Sequence, residues 1–295
     1  MKNVLIVGYG VVGHNLHKEL NKLNIDVYDK FKSEVNTKRD IKYDFCFICV
    51  DTPYIDKDNL CDISQVKVAL QENNADIYII KSTILPGTTE QLSKEFNKHI
   101  VFSPEYYGGT QHCNNFEFNF TILGGEVEDC CKVQQLLQEV YDARHTFRMV
   151  KPKEAELTKY MENTWIGYKV DFMVQFKIAC DKLGIPYEVV RELYNLDPRF
   201  SPCFTYVYDE HPYWDSHCTN KDIRAIAEFL NLKLIKDMIK FNDEHKKKRW
   251  LLWIIKHLLE KSLKILIKNS KVNKQLWILM MNLLKEAQIL LLVME

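Results

Sequence analysis

The sequence predicts an α/β chain: a parallel, doubly wound sheet over residues 1–150, followed by an all-helical domain over residues 151–250 built around one long helix. Three observations predict it. Short apolar runs alternate with amphipathic stretches through the first half. A glycine-rich turn follows the first of those runs. From Pro152 onward, apolar residues recur at three- and four-residue steps.

Val4–Val7, Ile25–Tyr28, Phe45–Val50, Ile77–Ile80, Val101–Phe102 and Thr121–Leu123 read as buried strands, and His145–Val150 as the last strand of the domain. Between them His14–Leu23, Ile63–Glu72, Thr88–Asn97 and Val127–Tyr141 carry helical spacing. Pro152 opens the long helix, Lys153 to Leu183, which Gly184 and Pro186 end. Tyr187–Tyr194, Lys221–Phe229 and Lys233–Lys248 are further helices, and Arg199–Cys218 is an irregular aromatic stretch. Residues 251–295 form an atypical, helix-prone tail rich in Leu, Ile and Lys, with no glycine after Lys264.

A chain of 295 residues, 46% hydrophobic, supplies one large core or two ordinary ones. Its formal net charge is zero, which argues against nucleic acid and against an anionic membrane as partners. The longest uncharged apolar run, Leu276–Leu284, is about half of the ~20 residues a span requires. Nine cysteines lie without metal or disulfide spacing, and Met1-Lys2 runs straight into the first strand. Reduced thiols, no metal site and a cytoplasmic location are therefore expected.

Gly8, Gly10 and Gly13 end a predicted strand and open a predicted helix, the context in which Gly-x-Gly-x-x-Gly holds a pyrophosphate against a helix N-terminus. This is the fingerprint of a Rossmann dinucleotide-binding domain. Val11 and Val12 complete the turn. Asp29 ends the next strand, where a carboxylate accepts hydrogen bonds from an adenosine ribose and favours NAD over NADP, with Lys30 beside it. Asp51-Thr52-Pro53 and Lys81-Ser82-Thr83 leave the C-terminal ends of two further strands, where such sheets bind ligands. Thr52 and Pro53 join the cofactor set. Thr83 faces a nicotinamide or a catalytic water, or else caps the next helix.

Lys159 and Asn163 stand one turn apart on the long helix. Such a pair is ordinarily a solvated face. Here Leu157, Met161, Trp165 and Ile166 are expected to bury the neighbouring faces, and a lysine in an apolar pocket can stabilise an alkoxide or act as a base. Cys218 lies among Asp215, Ser216, His217, Lys221 and Asp222, just before a predicted helix. A nucleophilic thiolate needs a cation or a helix N-terminus beside it; a structural cysteine needs neither.

Together these segments resemble the UDP-glucose/GDP-mannose dehydrogenase family. The resemblance is carried by residues 8–13, 47–53, 81–87, Ser103-Pro104-Glu105-Tyr106-Tyr107, the helix motif 154–163 and Cys218-Thr219-Asn220-Lys221-Asp222, and it runs from residue 1 to about 248. It implies a nucleotide-sugar 6-dehydrogenase that oxidises UDP-glucose, or a related UDP- or GDP-sugar, to the uronic acid with two NAD, as in polysaccharide biosynthesis. It implies that Cys218 attacks the C6 aldehyde and becomes a thioester. Lys159 and Asn163 would hold the C6 oxygen, Asp222 and Thr83 would position water, and Glu105 would act as general base. It also implies a homodimer formed through the helical domain.

The chain departs from the family pattern in four places. Asp215-Ser216 replace a glycine pair before the cysteine, so the substrate loop should take another conformation. Gly108-Gly109 stand where a second glutamate is common, and the segment between Asp29 and Asp44 is short. The tail should not form the family's nucleotide-binding domain but be a remnant or replacement of it. Two other readings follow: a non-catalytic relative that keeps the NAD-binding fold as an interaction protein, and a 3-hydroxyacid or 6-phosphogluconate type of dehydrogenase, which needs neither Cys218 nor Glu105.

Overall fold

The computed structural model describes residues 2–107 and 117–269. Seven strands form one sheet in the order β2-β1-β3-β4-β5-β6-β7. They are β1 (Asn3–Val7), β2 (Asn24–Tyr28), β3 (Tyr43–Ile48), β4 (Ala75–Ile80), β5 (His99–Phe102), β6 (Phe120–Gly124) and β7 (Thr146–Val150). All neighbours are parallel except β5 and β6, which meet antiparallel at Phe102 and Gly124. The sheet is parallel, as expected, except at this one joint. A parallel return needs a crossover, and the described residues between β5 and β6 contain no helix.

Strand period assigns the core. Val4, Ile6, Phe45, Phe47, Ile77 and Ile79 point to one face and pack on Leu16 of α1 (Val11–Glu19), on Leu20, which caps it, and on Cys130, Val133, Leu136 and Leu137 of α4 (Val127–Gln138). Leu5, Val7, Cys46, Ile48, Tyr78 and Ile80 point to the other. There they meet Val66, Ala69 and Leu70 of α2 (Ser64–Glu72) and Leu92 of α3 (Thr88–Phe96). Both faces are covered, so the strands read as near-continuous apolar runs.

The long helix α5 spans Pro152–Leu183 and stops before Gly184, whose φ of +67° suits a residue without Cβ. Leu157, Met161 and Trp165 are 43, 74 and 60% exposed, contrary to the expectation that they are buried. The buried face is Ala155, Glu156, Lys159, Tyr160 and Asn163. At 3.6 residues per turn, 157, 161 and 165 fall on the opposite side.

Then come α6 (Tyr187–Asn195), α7 (His217–Phe229) and α8 (Lys233–Asn269). Helix α7 begins at His217 rather than Lys221, and α8 continues without a break through residue 250. Gly108-Gly109, Leu276–Leu284 and Ile289–Val293 lie outside the described residues. The contacts divide the described residues into two compact units, one made of those up to Trp165 with His217–Lys233, the other of Ile166–Ser216 with those from Leu234 to Asn269. In the second unit Met173, Cys180 and Tyr187 form a small core with Val190, Tyr194 and Val207. None of the described helices is long and apolar enough to cross a membrane.

Candidate active site

Parallel register lines up the strand ends. Val7 pairs with Ile48, Ile48 with Ile80, and Ile80 with Phe102. The segments beginning at Gly8, Cys49, Lys81 and Ser103 therefore leave the sheet at one edge, the carboxyl edge where such folds bind ligands.

At the first turn Gly8 has φ +90°, and its amide donates to the Tyr28 carbonyl at 2.8 Å. A Cβ on Gly13 would stand 1.9 Å from the Gly8 carbonyl oxygen, so the helix meets the strand only through glycine. A Cβ on Gly10 would meet nothing within 4 Å. Gly10 caps α1 with no side-chain hydrogen bond, and Val11 and Val12 follow in its first turn, which holds no acidic residue. The Asp29 carboxylate accepts from the Tyr9 amide at 2.7 Å and the Phe31 amide at 2.8 Å. An open glycine edge, an uncapped helix N-terminus and an adjacent fixed carboxylate fit a dinucleotide. Lys30 is exposed, its ammonium 5.9 Å over the Phe31 ring.

At the second and third turns, the buried Thr52 hydroxyl donates to the Thr83 carbonyl at 2.6 Å, and Pro53 O accepts from the Asp62 amide at 2.8 Å. Thr83 itself is buried. Ser82 Oγ ties the two loops by donating to Val50 O at 2.6 Å. Lys81 is buried beneath them, within reach of Ser103 Oγ at 3.1 Å, and burial pushes its ammonium pKa down.

Helices α5 and α7 supply the remaining groups. Lys159, Asn163 and Asp222 are 6, 5 and 1% exposed. Asn163 Nδ2 donates to Asp222 Oδ2 at 2.6 Å, and Lys221 Nζ donates to Asp222 Oδ1 at 2.7 Å. Lys221 Nζ also stands 3.4 Å from Thr52 Oγ1, linking α7 to the β3 loop. Lys159 Nζ donates to the Glu105 carbonyl, lies 3.6 Å from Glu105 Oε1 and stacks 5.1 Å over the Tyr106 ring. Glu105 Oε2 accepts from the Tyr107 amide at 2.7 Å. A buried carboxylate with both a cation and an amide is charge-satisfied.

Cys218 is the second residue of α7, half-buried. Burial pushes its thiol pKa above 9.0, the Glu105 and Asp222 carboxylates push it further up, and Lys159 and Lys221 pull it back. The helix N-terminus alone does not make it a thiolate.

All six sequence-derived catalytic candidates, Thr83, Glu105, Lys159, Asn163, Cys218 and Asp222, belong to the same compact unit. The structure joins them as two pairs, Lys159 with Glu105 and Asn163 with Asp222, and places Cys218 in the field of both carboxylates. Lys221 and Glu156 were not among the candidates. Lys221 stands beside Asp222 in the nucleophile motif, and that adjacency was the available signal. The fully buried Glu156 accepts from the Gly87 amide at 2.5 Å, the Thr89 amide at 2.8 Å and Thr89 Oγ1 at 2.6 Å, fastening α5 to the start of α3. Among the described residues no group of three or more His, Cys, Asp or Glu side chains could hold a metal ion.

Residues 10–145 match the NAD binding domain of the UDP-glucose/GDP-mannose dehydrogenase family, and residues 153–244 match its central domain. The chain belongs to this family. Its first domain is accordingly an NAD-binding domain, with NAD as the cofactor. It is 27% identical over 267 residues to the UDP-N-acetyl-D-mannosamine dehydrogenase of Methanocaldococcus jannaschii, covering 81% of this chain and 61% of that one. It is 23% identical to the UDP-glucose 6-dehydrogenase of Rickettsia prowazekii, covering 81% of this chain and 63% of that one. A solved UDP-glucose dehydrogenase from Pyrobaculum islandicum superposes with a TM-score of 0.71 at 21% identity, over 90% of this chain and 72% of that one, a likeness of fold. The chain thus spans about 61% of the length of the archaeal relative.

Proposed function

We propose that this chain is a nucleotide-sugar 6-dehydrogenase that oxidises UDP-glucose, or a related UDP- or GDP-sugar, to its uronic acid through a thioester on Cys218. One observation carries the reading. Cys218 sits one helical turn before an Asp222 carboxylate that is held on both oxygens, by Asn163 and Lys221, within the unit that also contains Lys159 and Glu105. A solitary structural cysteine needs no such surroundings.

NAD, when bound, supplies the hydride acceptor, one for each of the two oxidations. Gly8, Gly10, Val11, Val12, Gly13 and Asp29 would hold it, with Thr52, Pro53 and Thr83 at the reacting end. Lys159 and Asn163 give N–H donors to the C6 oxygen as charge gathers on it. The first oxidation removes a hydride from C6 and the proton of its hydroxyl, leaving the aldehyde; the Cys218 sulfur adds to that carbon and its proton passes to the C6 oxygen, giving a thiohemiacetal, and loss of a second hydride and of the hydroxyl proton gives the thioester. Thr83 and Asp222 orient a water, and Glu105 takes its proton as the water adds and the thiol leaves. Burial keeps the thiol protonated near neutrality, so its activation depends on Lys159 and Lys221 outweighing the two carboxylates once substrate is bound.

The exposed apolar residues Leu157, Met161, Trp165, Phe172 and Phe176 share one stripe of α5 and support a homodimer through the helical domain. Sedimentation of the wild type beside Met161→Lys/Trp165→Lys tests it: the wild type should be dimeric and the variant monomeric. NADH formation with UDP-glucose, UDP-N-acetylmannosamine and GDP-mannose in parallel tests the activity. Turnover of one sugar that vanishes in Cys218→Ala is expected; no turnover of any of them sinks the reading and favours a non-catalytic relative.

A further inference from the structure

β2 is an edge strand, so the outward backbone groups at its end need partners from beyond the ladder. Two consecutive residues supply them. The Val27 amide donates to Thr37 Oγ1 at 2.9 Å, and the Thr37 amide donates to the Val27 carbonyl at 2.9 Å. Asn36 serves Asp29 with its side chain alone. The Asp29 amide donates to Asn36 Oδ1 at 2.6 Å, and Asn36 Nδ2 donates to the Asp29 carbonyl at 3.1 Å. A carboxamide carries both the acceptor and the donor that one peptide edge requires. Residues 30–35 are thereby closed into a loop that ends in the single 3-10 turn Ser33–Val35.

That loop governs the surroundings of the Asp29 carboxylate. Phe31, on the loop, donates its amide to Oδ1, and Tyr9, in the glycine turn, donates to Oδ2. The same loop carries two cations. Lys32 Nζ is held on the Tyr9 carbonyl at 2.8 Å, and Lys30 stands over the Phe31 ring. A carboxylate repels a 2′-phosphate and a free lysine attracts one, so cofactor choice depends on which of them the loop presents.

We propose that Asn36 is a positioning residue for cofactor choice: by holding both backbone groups of Asp29 and closing the 30–35 loop, it keeps the carboxylate on the glycine turn and keeps the Lys32 ammonium engaged on the Tyr9 carbonyl, where it is not free to pair with a 2′-phosphate. The inference rests on the NAD assignment and goes beyond it, because Asn36 carries no charge and acts through Asp29.

Fluorescence titration of NADH and NADPH against the full chain tests it. The wild type should bind NADH the more tightly. In Asn36→Ala the preference should shrink about tenfold, the equivalent of one net hydrogen bond, through weaker NADH and stronger NADPH binding. Asn36→Ser keeps an acceptor for the Asp29 amide and should restore part of the preference. Adding Lys32→Ala to Asn36→Ala should remove the gain for NADPH. Equal weakening of both cofactors in Asn36→Ala would make the clamp merely structural and overturn the proposal, as would an unchanged ratio. If Asn36→Ala does not fold, the serine variant decides: a ratio identical to the wild type overturns the proposal and a reduced preference for NADH supports it. A wild type that prefers NADPH would overturn the NAD assignment itself, and the inference with it.

Discussion

Two buried aspartates of the first unit, one at the end of β2 and one in α7, are satisfied in opposite ways. Asp29 is held by backbone amides within 20 residues of itself, Tyr9 and Phe31. Asp222 is held by side chains, Lys221 beside it and Asn163 fifty-nine residues away. A carboxylate fixed by amides depends on the path of the chain and tolerates changes in neighbouring side chains. A carboxylate fixed by side chains makes each partner depend on the other, because removing one leaves a buried group alone. The Asp29 end is therefore built locally, and the Asp222 end is built from separate helices.

The sharpest break in this comparison is chemical. Cys218→Ser should lower uronic acid formation by at least about 10³-fold, because a serine beside two carboxylates has no accessible anion. Steady-state assay of NADH and of the acid reads it, and an unchanged rate removes Cys218 from the mechanism. Next in size, Asp222→Ala leaves the Lys221 ammonium and the Asn163 amide without their shared partner and should cost about 3–5 kcal/mol. Asp29→Ala, which frees only two amides, should cost about 1–3 kcal/mol. Urea denaturation of both variants checks the order, and a larger loss at Asp29 would reverse the comparison.

A third carboxylate extends the contrast to the second unit. Asp171 Oδ2 accepts from Trp214 Nε1 at 2.8 Å, while Oδ1 is buried without a hydrogen-bond partner. Burial raises its pKa from 3.8 to about 7, and Asp243 adds to the shift. The fold thus favours the protonated form. Its contribution is complete below 3.8 and is lost as pH rises through about 7, a change of up to about 4 kcal/mol. Asp171→Asn keeps an acceptor and does not ionise. Its stability relative to the wild type should rise between pH 4 and 7, as denaturation midpoints across that range would record; a constant difference would mean that Asp171 does not titrate there.

The smallest expected effect concerns Cys218 itself. Glu105→Gln removes one of the carboxylates that raise its thiol, so alkylation of Cys218 at mildly alkaline pH should quicken several-fold. Peptide mass spectrometry of the iodoacetamide adduct measures this, and a slower reaction would mean that Glu105 acts mainly by holding Lys159.

Much of this was legible in the chain. Glycine spacing after an apolar run, an acid at the end of the next strand and the alternation of runs specify the sheet and its cofactor edge, because each depends on residues a few positions apart. Helix α7 starts at His217 rather than at the expected Lys221, and its first turn, His217-Cys218-Thr219-Asn220, carries no apolar period to announce it. Leu157, Met161 and Trp165, expected to bury the flanks of Lys159, lie on the exposed side of α5. Apolar residues at helical spacing define a stripe, but not which stripe meets the protein.

The β-α order, the glycine turn at Gly8–Gly13 and the residue types of the site thus follow from local pattern along the chain. Tertiary structure alone decided that Lys159 faces Glu105, that Asn163 and Lys221 share Asp222, and that Glu156 closes the start of α3. Backbone geometry propagates order over a few residues, whereas a buried polar or charged contact between distant segments forms only when packing brings the two side chains into the same low-dielectric space.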